Sequence, residues 1–418
     1  MYENESTFVL DFYTKDMRLY SIIIPVYNRP DELDDLLSSL CKQTYVHFEV
    51  IVVEDGSEIP AKEIVGRYQG RLDLHYYVIS NSGPGMARNH GARQVRGEYL
   101  LILDSDVVLP TTWLEHIHDS LNHYPVDAFG GPDKAHASFS PIQKAINYAM
   151  TSFLTTGGIR GGKKKLDKFY PRSFNMGIRR DVYERLGGFS GMRYGEDIDF
   201  SIRIMEAGYR TRLFPSAWVY HKRRTDLMQF FRQVRHSGEA RIALNRKHPG
   251  SLKLVHCLPA LFTFSVCLLV ISSFFFRLFL VPLIIYALLL FVDAMFRNKC
   301  DLRVGSLSVI ASFTQLFGYG TGFLGSIICM FIYLYFRTTY MKTTRLFSFL
   351  ILISLVSNAN AQLRVLSNGR VQAGLLKDNN EDLGNVTSMQ IYGRIGDARA
   401  GSKLTFGDFG QYGNQGWN

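Results

Sequence analysis

The stretch Glu98-Tyr99-Leu100-Leu101-Ile102-Leu103-Asp104-Ser105-Asp106-Val107-Val108 decides how the chain is read. Tyr99 to Leu103 is a short unbroken apolar run, and two carboxylates end it. Such a run reads as a strand buried on both faces. In an open parallel sheet, ligands bind beyond the carboxyl ends of the strands. Residues i and i+2 of an extended chain point the same way, which aims Asp104 and Asp106 together. Converging carboxylates repel unless a cation lies between them, and a hard divalent ion that itself holds a phosphate suits the place. An isolated Asp-Ser-Asp would more simply be an acidic turn after a core strand, so the neighbours decide.

Upstream, the same pattern repeats three times. Leu19–Tyr27 is β-branched and apolar and is broken by Asn28-Arg29-Pro30. Phe48–Val53 runs into Glu54-Asp55-Gly56-Ser57, and Leu74–Ile79 into Asn81-Ser82-Gly83-Pro84-Gly85. Between them, Asp31–Gln43 carries Leu33, Leu36, Leu37 and Leu40 at helical spacing, Ala61–Tyr68 predicts a short helix, and Met86–Val95 a third. Strand, helix, strand with short polar links predicts a parallel α/β sheet with its polar loops on one edge. A dinucleotide or Walker-type glycine loop is absent after the first strand, which disfavours a dehydrogenase or a P-loop enzyme.

Together, Ser21–Asn28, Glu54–Ser57, Asn81–Asn89 and Asp104–Asp106 resemble the first half of a family 2 glycosyltransferase with the GT-A fold. Phe174–Arg180, Leu186–Phe189, Gly195-Glu196-Asp197-Ile198-Asp199, Gly208-Tyr209-Arg210 and Ala217–His221 resemble its second half. The resemblance covers roughly Leu19 to Gly238. It implies a nucleotide-sugar donor, UDP- or GDP-linked, in a pocket involving Pro25, Tyr27, Asn28, Asp55, Arg88, Asp104 and Ser105. Asp55 would meet the base and Asp104 the ribose. Asp106 would hold Mg²⁺ or Mn²⁺ against the diphosphate, with His221 as a further ligand. Asp197 would be the general base of an inverting transfer and Glu196 would line the acceptor side, with Asp199 structural. For Arg88, a contact to phosphate and a solvated helix face stay open, and for His221 a satisfied histidine at the end of a strand Leu213–Tyr220. A sugar nucleotidyltransferase is disfavoured by Asn28-Arg29-Pro30, and a silent scaffold by the intact carboxylate set. Processive members carry Gln-x-x-Arg-Trp; here Gln229-Phe230-Phe231-Arg232-Gln233 puts Gln233 in the last place, which favours transfer of a single sugar.

Charge and hydropathy set the surroundings. The 418 residues carry a net charge of +10, and nine Lys or Arg fall between His221 and Lys253. With no nucleic-acid module in view, that cluster points to phosphate and anionic lipid, with the catalytic part on the cytoplasmic side of a bacterial inner membrane. Five scattered cysteines form no Cys-x-x-Cys pair and predict neither disulfides nor zinc. Leu254–Phe276, Leu278–Phe296 and Ser306–Phe336 are apolar enough to span; the third, interrupted by Gly318-Tyr319-Gly320-Thr321-Gly322, reads as a hairpin or one long span. The expected organisation is a lead-in 1–18, a GT-A domain 19–245, transmembrane helices 254–337, a signal-peptide-like segment 341–361 ending Ala359-Asn360-Ala361, and a Gly-rich tail 362–418. The last two suggest a joined reading frame or a real final span that exports the tail. Gly157–Lys168 reads as a solvated loop or a lid, and Phe129–Phe169 as the segment that sets acceptor choice. The acceptor itself is expected to be a lipid-linked or envelope glycan.

Overall fold

The structure, a computed structural model, describes residues 18–136, 138–156 and 169–356 and the strands 361–365, 371–375, 386–391 and 404–409, with side chains up to 332. The lead-in and the Gly157–Lys168 segment lie outside the described residues, apart from Arg18. Two units separate, Met1–Ile328 and Cys329–Asn418.

The first unit is built on a seven-stranded sheet of order β3-β2-β1-β4-β8-β6-β9. β1 (Tyr20–Val26), β2 (Phe48–Asp55), β3 (Leu74–Ile79) and β4 (Tyr99–Leu103) pair in parallel. β6 (Ala128–Gly130) and β9 (Thr211–Leu213) are joined to them through β8 (Asn175–Arg179), which is antiparallel to both β4 and β6. Successive strand residues face opposite ways. Ile22 and Ile24 therefore pack with Leu33, Leu36 and Leu37 of α1 (Pro30–Leu40) and with Trp113 and Ile117 of α4 (Trp113–His123). Ile23, Ile51 and Val53 pack on the other face with Ala87 of α3 (Pro84–Ala92) and Phe200 of α8 (Glu196–Glu206). α1 begins on Pro30 with Asp31 and Glu32 in its first turn, where proline costs no hydrogen bond and carboxylates meet the positive end of the helix. Between α1 and α3 lies the short α2 (Lys62–Gly66).

A second sheet, β5-β10-β7, caps the carboxyl edge. β5 is Val107–Val108, β7 Asp133–Lys134 and β10 Val219–His221. The single strand expected over Leu213–Tyr220 is thus two strands in different sheets. Pro215 cannot donate to a ladder, and Phe214 to Trp218 cross between the sheets, with Phe214 N–H bonded to Gly130 O at 2.9 Å.

α5 (Pro141–Thr151) and α6 (Phe153–Thr156) follow, and α7 (Arg180–Arg185) succeeds β8. α9 (Leu227–Lys247) starts on Asp226, whose carboxylate accepts from Met228 N at 2.7 Å and Gln229 N at 3.1 Å. Three apolar helices come next: α10 (Leu258–Ser273), α11 (Val281–Arg297) and α12 (Leu302–Val356). The first expected span is shorter than it reads in the sequence. The 16 residues of α10 rise about 24 Å, because Leu254–His256 is a separate 3-10 turn and Pro259 starts the helix. Among the described residues, Arg277–Arg297 and Leu302–Ile332 are long and apolar enough to cross a membrane.

The glycine-rich interruption does not break α12. A Cβ at Gly320 would lie 2.5 Å from Pro259 O of α10. One at Gly322 would lie 2.1 Å from Arg235 O, and one at Gly238 of α9 would lie 2.2 Å from Tyr319 O. These glycines let α12 touch α9 and α10 backbone to backbone, a use glycine alone serves. α11 rests on α5 and the residue after it through Asp293 Oδ2, which accepts from Tyr148 Oη at 2.8 Å and Ser152 Oγ at 3.0 Å. All five cysteines are free. The second unit carries β11 (Ala361–Val365), β12 (Val371–Leu375), β13 (Val386–Ile391) and β14 (Leu404–Phe409), antiparallel in chain order.

Candidate active site

The loops after β1, β2 and β4, the start of α8, Arg224 in the link after β10 and one face of α9 surround a cavity of about 720 Å³. Pro25, Tyr27, Asp55, Arg88, Asp104, Ser105, Asp106, Glu196 and Asp197 all line it. Of the expected donor residues, Asn28 does not. Its backbone takes a positive φ of 53°, and its Oδ1 accepts from Glu58 N at 2.7 Å and Ile59 N at 3.1 Å, tying the loop after β1 to the loop after β2.

Asp104 and Asp106 do converge, but not as neighbours on an extended strand. The chain leaves β4 and turns at Ser105 and Asp106 before β5. The ligand atoms of Asp104, Asp106 and His221 all fall within 4.8 Å of one another. β10 pairs antiparallel with β5, His221 opposite Val107, which brings the histidine to the carboxylates. Asp106 Oδ2 is paired with Arg29 Nη1 at 2.7 Å, while Oδ1, 3.2 Å from His221 Nε2, is buried without a well-aligned donor. A buried carboxylate oxygen left open toward a second carboxylate and an imidazole fits a hard divalent cation. Burial pushes the Asp106 carboxyl up, but His221, Arg29 and Arg224 overcome it and hold it well below the ordinary carboxylate range.

Asp55 is fixed rather than free. Its two oxygens accept from Ser82 N at 2.7 Å and Gly83 N at 2.9 Å, just ahead of α3. Arg88 lies on no solvated face. It is 3% exposed, and its guanidinium bridges Asp104 Oδ1 at 2.7 Å and Glu196 Oε1 at 2.8 Å at the cavity wall, so of the two open readings of Arg88 the solvated helix face gives way. Arg29 at 2.7 Å and Arg224 at 3.9 Å add positive charge beside Asp106.

Asp197 stands in the first turn of α8 and accepts from Arg172 Nε at 2.6 Å and from Ile198 N at 2.8 Å. Burial raises its carboxyl, and Arg172, then Arg88, outweigh burial and lower it. Glu196 goes the other way: burial raises it more than Arg88 lowers it. The two adjacent carboxyls are thereby pushed apart, one toward the anion and one toward the acid. Asp199 turns from the cavity to Lys247, His248 and Arg203.

Several lining residues gave no sign in the sequence. Arg172 follows a loop without periodicity, Arg29 sits in what reads as a strand breaker, and Arg224 hides in the basic cluster. Gln229, Gln233 and His236 repeat at helical spacing along α9 and all line the cavity; Tyr194 stacks on His236 with centroids 4.0 Å apart.

Residues 21–187 match the Glycosyl transferase family 2 profile, and residues 173–294 match that of Glycosyl transferase family group 2. Residues 21–187 thus form a glycosyl transferase family 2 domain. It is 28% identical over 201 residues to glycosyltransferase AglE of Haloferax volcanii, covering 47% of this chain and 64% of that protein. It is 31% identical over 235 residues to the pre-mycofactocin glycosyltransferase of Mycobacterium tuberculosis, covering 55% of this chain and 48% of that one. The chain thus spans about half to two thirds of these relatives' lengths. The mannosyltransferase PcManGT of Pyrobaculum calidifontis, solved with GDP-Man and Mn²⁺, superposes with a TM-score of 0.51 at 19% identity, over 71% of this chain and 87% of that one, which places this family 2 domain in the GT-A fold.

Proposed function

We propose that the protein moves a single sugar from a UDP- or GDP-linked donor to a hydroxyl of a lipid-linked or envelope-glycan acceptor near a membrane, with inversion. The observation that carries this reading is that Asp104 and Asp106 line the same cavity as Asp197, with His221 behind them and the ligand atoms of all three within 4.8 Å of one another. Mg²⁺ or Mn²⁺ bound by Asp106 and His221 would neutralise the charge that grows on the departing nucleoside diphosphate. Asp55 and Asp104 bind the nucleoside, and Arg29 and Arg224 hold the diphosphate. Asp197, kept as the anion by Arg172, takes the proton of the acceptor hydroxyl; that oxygen bonds to the anomeric carbon opposite the breaking carbon–phosphate-oxygen bond. Glu196 lines the acceptor side, where its bond to Arg88 at 2.8 Å keeps it from the acceptor proton that Asp197 takes. The helices Arg277–Arg297 and Leu302–Ile332, together with the basic stretch before them, support a catalytic domain on the cytoplasmic face of a bacterial inner membrane.

The test is a panel of nucleotide sugars offered to the detergent-solubilised full chain, following nucleoside diphosphate release with Mg²⁺, Mn²⁺ or EDTA. Release from one donor, lost with EDTA and in Asp106→Ala, is the expected result. Failure of every donor either to bind or to turn over in the presence of metal refutes the reading.

A further inference from the structure

The cavity does not end at the polar site. Its wall continues along α9 to Arg241 and then reaches Val255, Leu258 and Pro259 at the head of α10 and Gln315 and Leu316 on α12. One space therefore joins a carboxylate site to the flanks of apolar helices.

Charge is sorted along that space. At the carboxylate end, Arg29, Arg88 and Arg172 are each paired with an acid. At the other end, half-buried Arg241 is paired with no carboxylate among the described residues; its polar neighbour is the uncharged Tyr319 hydroxyl. Lys253, likewise without an acidic partner among the described residues, bears with Arg241 on the His256 ring. Gln315, also lining this space, has its Oε1 buried without a donor. Withholding a counter-ion from a half-buried guanidinium is costly unless an anion arrives to meet it. A planar fork of donors suits a phosphate-type oxyanion. Beyond Arg241 the lining turns partly to hydrocarbon, Val255, Leu258, Pro259 and Leu316 beside His256, Gln315 and Tyr319, and a free phosphate ion would not need those apolar residues.

We propose that this end of the cavity is a subsite for an anionic amphiphile: Arg241 holds a phosphate-type head, and Val255, Leu258, Pro259 and Leu316 receive the first carbons of its chain. Resting on the transferase reading above, this makes the acceptor a phosphate-bearing lipid whose reactive oxygen is presented toward Asp197. A neutral glycolipid would leave Arg241 unmatched, and a soluble phosphosugar would leave the apolar walls wet.

The test uses the full chain in phosphatidylcholine nanodiscs and three photoreactive probes that share a twelve-carbon diazirine chain and differ in the head: phosphate, hydroxyl or glucoside. The phosphate probe is expected to label the peptides around Leu258 and Leu316 about tenfold more than the other two. Unlabelled dodecyl phosphate should compete, and inorganic phosphate at the same concentration should not. Arg241→Gln should lose that selectivity, whereas Arg246→Gln, exposed on the same helix with the same charge change, should keep it. Equal labelling by the hydroxyl probe overturns the proposal, as does full competition by inorganic phosphate, and both are read on the unmutated protein. Nucleoside diphosphate release is followed in the same discs. Release without head-group selectivity sinks the amphiphile subsite alone. Selectivity without turnover of any donor keeps the subsite and removes the transferase reading.

Discussion

Replacing Arg88 by methionine keeps most of its volume and removes its charge. The guanidinium lies between Asp104 at 2.7 Å and Glu196 at 2.8 Å, so the variant leaves two carboxylates facing each other with no cation between them. Breaking a buried ion pair from one side costs roughly 3–5 kcal/mol. Two features lower that figure here. The Asp104 side chain is 31% exposed, so water screens part of its charge. Burial already raises Glu196, so without Arg88 that residue takes up a proton rather than standing charged. The net cost falls to about 2–3 kcal/mol, which for a domain of this size lowers Tm by roughly 4–12 °C. A group whose folded pKa is raised is stabilised in its protonated form below that value, so the deficit should shrink as pH falls through the raised pKa of Glu196. Thermal scans of the solubilised full chain across pH, with Arg88→Met alone and combined with Glu196→Gln, read both effects, and the double variant should recover at least half the loss. A Tm shift under about 2 °C, or no recovery in the double variant, would show that Arg88 does not hold these carboxylates together.

Three further outcomes are expected. Arg172→Gln removes the main group that opposes burial at Asp197, so the acid limb of the kcat/KM profile should move to higher pH; an unmoved limb would mean that Asp197 is not the titrating base. Gly322→Leu must push α12 off the Arg235 carbonyl and should cost at least 1–3 kcal/mol or so, seen as a lower Tm, while Gly325→Leu, whose Cβ meets nothing within 4 Å, should leave Tm unchanged. Asp199, held down at about 2 from 3.8 by Lys247 and His248 against burial, adds stability that is complete above pH ~5 and is lost as pH falls toward 2. Asp199→Asn should remove on the order of 2 kcal/mol at neutral pH and flatten the acid limb of a stability–pH curve.

The four parallel strands were legible because each is a β-branched or apolar run that ends in polar residues, and such runs leave few alternatives. The meeting of Asp104 with Asp106 was expected from strand alternation and arises instead from a turn, which a pattern of apolar residues does not encode. Pro215 was visible, but its consequence, a strand divided between two sheets, depends on where Gly130 and Pro132 lie in space. Arg29, Arg172 and Arg224 went unread for a common reason: an ion pair joins residues far apart in the chain, and no periodicity marks its basic partner. The face of α9 that lines the cavity was partly written in Gln229 and Gln233, whose spacing drew attention for another purpose.

The backbone contact of α12 with α9 and α10 has one more consequence. Where carbonyl meets glycine with no side chain between, neither helix can tilt or slide without a clash. With α12 set in the bilayer as proposed, the height of Asp197 above the lipid surface is a constant of the molecule rather than a range. Under the function proposed above, such a fixed height would act as a caliper, favouring hydroxyls whose spacer from the membrane matches it.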